Sequence, residues 1–290
     1  MPSAIEYRYE DALLETHLRR AMEERPLGHF ALKAFDELIG GIHSARFTAI
    51  CAEPGMAKTT LLGQLADEAA MAGFVNVVNT LEIPAHQWIP KSLSRLSGGV
   101  LSVSDVSDPG KAASVAEMAE VYLRFIAPNM VFIERPLTSV ELGAVISRIQ
   151  NERAEPVVLW QDYIQIMPST FASSNQPIVD ERLAVKEAVS GLRRIANTHD
   201  VPVFAISSIN RASYAKTPGL GALGGSSAVE YSVDTVVHMA VEGASSEERE
   251  ENMCLPVRPL VLSTLKNRYA AKSVARLSFD CAHATFAERP

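Results

Sequence analysis

Ala52-Glu53-Pro54-Gly55-Met56-Ala57-Lys58-Thr59 follows a short apolar run, Phe47–Cys51, and opens a helical stretch, Thr59–Ala72. Strand, tight loop and helix start, in that order, form the setting of a phosphate-binding loop, whose pattern is G-x-x-x-x-G-K-[ST]. Backbone N–H groups in the loop and at the helix start cradle phosphates. Lys58 would reach the β- and γ-phosphates of ATP, and the Thr59 hydroxyl would bind Mg2+. The glycines of the pattern are alanines here, Ala52 and Ala57. Ala52 adds only a methyl group. At Ala57 the methyl opposes close approach of backbone to phosphate and the backbone angles that glycine adopts freely.

Outward from the loop, apolar runs alternate with helical stretches. Val75–Val78, Met130–Ile133, Val157–Trp160, Val201–Ile206, Thr235–Met239 and Leu260–Leu265 are expected strands; Gln87–Leu96, Ala112–Phe125, Val140–Gln150 and Val179–Asn197 are expected helices. Alternation of this kind indicates βαβ units, and continuously apolar strands indicate a sheet covered on both faces. The fold class is α/β with a mainly parallel sheet. Leu260–Leu265 and Val274–Phe279 are joined by a short polar link and are expected to add an antiparallel edge.

Two carboxylates sit where such a sheet would use them. Val157-Val158-Leu159-Trp160-Gln161-Asp162 is an apolar strand ending in an acid, about a hundred residues after the loop. Asp162 is placed to hold the water shell of Mg2+. Thr80-Leu81-Glu82 follows the Val75–Val78 strand, and Glu82 could polarise an attacking water.

With 290 residues, 47% of them hydrophobic and 21% charged, the chain can bury a sizeable core. A net charge of -7 argues against coating nucleic acid through bulk charge. No apolar run reaches the ~18 residues of a membrane span. Three well-separated cysteines make no disulfide framework, so a cytoplasmic location is expected. The seven histidines are scattered and form no metal-ligand pair. Leu14, Leu18 and Met22 mark a helix over roughly Glu10–Arg25, in a segment 1–28 ahead of a main domain at 29–290; it either packs on its own core or is an arm that docks on a neighbouring subunit. Trp88 and Trp160 read as core, and Arg193-Arg194 as a solvated helix face. Pro168–Asn175, Lys216–Ser227 and Gly243–Asn252 read as mobile loops.

Taken together, the motifs resemble the C-terminal RecA-like ATPase domain of DnaB-type hexameric replicative helicases. The likeness rests on Phe35-Asp36-Glu37-Leu38 with Gly40-Gly41, on Glu53 to Thr59, on Leu81-Glu82-Ile83 and on Asp162-Tyr163-Ile164-Gln165-Ile166. It continues through Val201 to Ser207, Ser226-Ser227-Ala228-Val229-Glu230 and Lys266-Asn267-Arg268. The resemblance implies a ring, a homo-hexamer, with Mg·ATP bound between subunits. Pro54, Gly55, Met56, Ala57, Lys58, Thr59, Thr60 and Asp162 would form the nucleotide site, with Thr59 and Asp162 on the Mg2+. Glu82 would be the general base. Lys266 and Arg268 would act on the γ-phosphate of a neighbour's ATP, and the arm would dock on an adjacent subunit. Gly224, Gly225, Ser226 and Ser227 would face DNA. The chain departs from the family at Ala57, at Ser208 where a glutamine is usual, and at Gly224-Gly225 where an Arg-Glu pair is usual. The Gly224 loop has no cation after Lys216, so weak binding of single-stranded DNA is expected. The reading is an ATP-dependent helicase-like motor. The alternative is a nucleotide-binding assembly or regulatory protein on the same fold.

Overall fold

The computed structural model, which describes residues 25–167, 181–208 and 231–289 with the helical positions Leu14 and Leu18, gathers the apolar runs into one nine-stranded sheet. The strands are β1 (Phe47–Ala52), β2 (Val75–Thr80), β3 (Met130–Ile133), β4 (Val157–Asp162), β5 (Val203–Ser208), β6 (Thr235–Val241), β7 (Val257–Asn267), β8 (Val274–Asp280) and β9 (Thr285–Glu288). Their order across the sheet is β3-β2-β4-β5-β1-β6-β7-β8-β9. The six from β3 to β6 run parallel. From β6 to β9 each neighbour is antiparallel.

Seven helices among the described residues connect and cover these strands: α1 (Lys33–Ile39), α2 (Lys58–Met71), α3 (Ala85–Leu96), α4 (Ala112–Phe125), α5 (Ser139–Glu152), α6 (Glu181–His199) and α7 (Ser246–Met253). β1, β2 and β4 are buried at every residue because helices lie on both faces. On one face Phe47, Ala49 and Cys51 of β1 meet Leu142, Ile146 and Ile149 of α5 and Val189, Leu192 and Ala196 of α6. On the other, Ile50 and Ala52 meet Phe35 and Leu38 of α1 and Leu61, Leu62 and Leu65 of α2. The odd–even split along β1 is the period-two alternation of a strand, and the i, i+4, i+7 spacing on α5 is that of a helix. Thr138 starts α5 with a reciprocal capping box to Glu141.

Both tryptophans are core residues, as expected. Trp160 stacks on Phe204 with centroids 4.7 Å apart and donates its indole N–H to Asn76 Oδ1 at 2.7 Å. Trp88 meets the edge of Phe132. One expectation is corrected: Gly243–Asn252 is not a loop along its length, because Ser246–Met253 forms α7, capped by the Ser245 side chain accepting from Glu248 N–H. The other two expected loops, and most of the arm, lie outside the described residues. Leu14 and Leu18 are helical and about half exposed. Among the described residues no helix is long and apolar enough to cross a membrane.

Trp160 sets a measurable stability scale. Trp160→Ala is expected to cost about 3–5 kcal/mol of unfolding free energy. Trp160→Phe leaves the buried Asn76 Oδ1 without its donor and is expected to cost about 1–3 kcal/mol. Urea unfolding followed by far-UV circular dichroism checks both; a loss below 1 kcal/mol in the alanine variant would contradict this packing.

Candidate functional site

The C-terminal ends of parallel strands are where open α/β sheets bind ligands. Here the end of β1 runs into Glu53–Ala57 and then directly into α2. Ala57 has φ 57° and ψ 30°, the left-handed conformation, and Gly55 has φ 80°. The loop therefore takes the turn that glycine would favour, with an alanine bearing a strain of about 1–2 kcal/mol. Met56 and Ala57 pack on the core. From outside, Arg258 donates weakly to Gly55 O at 3.4 Å. Met253 of α7 lies so close that a Cβ on Gly55 would meet its Cε at 3.5 Å. α7 and the start of β7 thus brace the loop.

Lys58 folds back over the loop, and its Nζ donates to Ala52 O at 3.0 Å and to Glu53 O at 2.9 Å. Burial pushes its pKa down, and the nearby carboxylates of Glu82 and Asp162 oppose that shift. β4 delivers Asp162 beside it. Asp162 is fully buried, and neither carboxylate oxygen has a hydrogen-bond partner. Burial raises its pKa to about 6, and Glu82 adds to the rise. The adjacent Thr59 hydroxyl and the charges of Lys58 and Lys91 lower it. Glu82 is exposed and sits two residues beyond Thr80, which pairs with Asp162 across β2 and β4. The Leu81 N–H donates to Asp162 O at 3.0 Å and fixes that register.

Lys58, Thr59, Asp162 and Glu82 are therefore brought together. Thr60 is buried one residue further along α2. Sequence reasoning missed Lys91. It lies on α3, half-buried, with Nζ 3.3 Å from Thr60 Oγ1. Its pKa is lowered by burial and by Arg95, and is held up by Asp162. Asp67 fixes Arg95 next to it with a buried bond of 2.5 Å. A buried acid flanked by two lysines and two hydroxyls is a donor set that suits a divalent cation and phosphate.

Lys266 and Arg268 are placed elsewhere. The Lys266 ammonium donates to Val233 O at 2.6 Å. Arg268 donates to Asp234 Oδ1 at 3.1 Å and to Tyr231 O. Both lie at the end of antiparallel β7, beside the start of β6. β1 begins at this same edge, since Phe47 N–H donates to Asp234 Oδ2. The loop lies at the other end of β1, six residues on, roughly 17 Å away at the rise of a strand. Arg193 is not solvated as expected: it pairs with Asp234 and donates to Ala45 O. Gly224, Gly225, Ser226 and Ser227 lie outside the described residues. A surface groove of about 880 Å3, lined by Glu242, Arg249, Asn252 and Arg289 among others, lies beside α7 and shares no residue with the loop.

The family model described as DnaB-like helicase C terminal domain matches residues 29–288. The replicative DNA helicase DnaB of Pasteurella multocida is 26% identical over 232 residues, covering 75% of this chain and 47% of that protein. The DnaB of Haemophilus influenzae is 29% identical over 185 residues, covering 61% and 37%. The chain thus spans about half or less of the length of these relatives. Among solved structures, the ATPase domain of G40P superposes with a TM-score of 0.82 at 14% identity, covering 99% of this chain and 100% of that one. A DnaB-like replicative helicase, solved in a study of its interactions with primase, gives 0.80 at 14% identity, over 98% and 68%. The fold is that of these RecA-like ATPase domains.

Two outcomes are expected from this geometry. Ala57→Gly relieves the left-handed alanine and should stabilise the chain by about 0.5–1 kcal/mol, with ATP turnover equal or faster; destabilisation on thermal melting would contradict the strain. The second concerns pH. The pKa of Asp162 is raised, so the folded chain favours its protonated form, and a bound cation must displace that proton as pH falls through about 6. Mg2+-dependent nucleotide affinity should be flat above pH 7 and fall up to ~10-fold per pH unit below 6. Asp162→Asn should remove that part of the pH dependence. Mg2+ titrations between pH 5 and 7.5 with wild type and variant check it; identical profiles would place the cation elsewhere.

Proposed function

The chain belongs to the DnaB-like helicase C-terminal domain family, and from that membership we propose that it is the ATP-hydrolysing module of a helicase-like DNA motor, working as a ring, in the family's case a hexamer. The observation that carries this reading is the convergence of Lys58, Thr59, Glu82 and the buried Asp162 on one sheet edge. In this reading Lys58 neutralises the β- and γ-phosphates, and the loop from Pro54 to Thr60 supplies the N–H cradle. Thr59 and Asp162 hold Mg2+, which when bound balances phosphate charge. Lys91 is a second cation on the same side. Glu82, exposed beside Asp162, takes a proton from the attacking water.

One chain then holds half of the machinery. Lys266 and Arg268 sit at the far end of β1 from its own loop, so they serve a neighbouring subunit's nucleotide. The Gly224–Ser227 stretch contacts single-stranded DNA only weakly. With no cation after Lys216 in that loop, the salt slope of binding should be shallow. The same reading places the chain in the cytoplasm.

The test is ATP turnover with and without single-stranded DNA. Lys58→Ala should weaken nucleotide binding by roughly 1.5–3 kcal/mol, the worth of a charge-assisted contact. Glu82→Gln should bind normally and lose ~10²–10⁴-fold in turnover. DNA-stimulated hydrolysis in the wild type supports the motor. Nucleotide binding with no turnover, with or without DNA, would replace it by the nucleotide-binding assembly reading.

A further inference from the structure

Asp234 is completely buried, yet three elements converge on it. Phe47 N–H at the start of β1 donates to Oδ2 at 2.9 Å. Arg193 of α6 donates to the same oxygen. Arg268, past the end of β7, donates to Oδ1 at 3.1 Å, and its backbone N–H donates to the Asp234 carbonyl at 3.1 Å. A buried carboxylate needs such pairing, and removal of its charge takes from both guanidiniums their ion-pair partner, leaving Arg193 its bond to Ala45 O and Arg268 its bond to Tyr231 O. Of the two, Arg268 is the more exposed, with 41% of its side chain open against 24% for Arg193. It is a charge that is held but still presented outward.

The strand geometry explains how Arg268 gets there. Along β6 and β7 the pairing runs Met239 with Leu262 and Val237 with Thr264, then jumps to Val236 with Lys266. The jump is a β-bulge at Leu265, which packs on the α5–α6 face. A bulge reverses which side chains point to which face. Leu260 and Leu262 face α1 and α2, and unbroken alternation would send Lys266 and Arg268 there too. The extra residue turns both onto the face of Val236 and Asp234. Asn267, between them, points the other way and donates to Leu38 O of α1. Lys266 reaches Val233 O, one residue before Asp234.

We propose that Asp234 is the positioning residue for Arg268, and that the bulge at Leu265 together with this carboxylate aims the arginine out of its own subunit toward a neighbour's nucleotide. The proposal rests on the reading of Arg268 as acting in trans. Arg193 shares the carboxylate and sets how much of its charge is left to restrain Arg268.

Mixed assemblies test it, because a positioning role must segregate with the half-site it serves. Asp234→Asn keeps the shape of the side chain and an acceptor for Phe47 N–H. It should assemble normally by sedimentation, keep the KM for ATP and lower kcat by ~10–100-fold, the usual cost of losing a partner that orients a catalytic group. Mixed with Glu82→Gln subunits it should regain part of its activity, and mixed with Arg268→Ala subunits it should not. A merely structural defect at the start of β1 would damage both half-sites and show no such pattern. Full kcat in Asp234→Asn, or no rescue by Glu82→Gln, overturns the proposal. The control mixture of Arg268→Ala with Glu82→Gln contains no change at Asp234; its failure to regain activity overturns the trans reading itself, and the proposal with it. If Asp234→Asn does not fold, Arg193→Gln replaces it. That variant leaves the carboxylate to Arg268 and Phe47 N–H, which holds Arg268 more tightly, and should lower kcat at constant KM, with the same rescue pattern; unchanged kcat overturns the proposal.

Discussion

Strand polarity is the constraint on which the rest of the molecule depends. Six parallel strands send their C-terminal ends to one edge of the sheet, so the loop before α2, Glu82 and Asp162 gather there. β7 runs the other way and ends where β1 begins. Nothing local decides that Lys266 and Arg268 lie far from Lys58. It follows from a change of direction between β6 and β7. Six residues of extended chain separate the two groups, and no side chain spans that length. In the proposed reading, one copy supplies the loop and a neighbouring copy supplies Lys266 and Arg268.

The nucleotide edge holds its charges under tension. Asp162 is fully buried, Lys58 turns two donors to loop carbonyls, and burial pulls down the pKa of both Lys58 and Lys91. In the proposed reading, a ligand carrying both a cation and phosphate returns each group toward its ordinary state. Preorganisation of this kind costs stability in the free chain and is recovered on binding. The opposite edge is different. There both Asp234 oxygens are paired, by Phe47 N–H, Arg193 and Arg268.

What the sequence discloses follows from how local each signal is. Lys58, Thr59 and Asp162 were legible because each sits at a junction of strand and loop that the apolar pattern marks. The same pattern located every parallel strand to within a few residues. Lys91 was not legible: it follows Pro90 on α3, and only the packing of α3 on α2 brings it to Thr60. Arg193 looked solvated because its partner, Asp234, is 41 residues further on. α7 escaped because it has no apolar face; its signal was the capping pair Ser245 and Glu248, which a search for periodicity passes over. The bulge at Leu265 leaves no mark in composition at all, although it decides where Arg268 points.

The central claim is that one chain cannot complete the reaction. It is tested most directly by ATP turnover per chain over a wide range of protein concentration, with assembly followed in parallel by analytical ultracentrifugation. The account predicts that turnover per chain falls toward zero on dilution, in step with loss of the assembled species, while nucleotide binding by the dissociated chain persists. Turnover per chain that stays constant down to the monomer would contradict it.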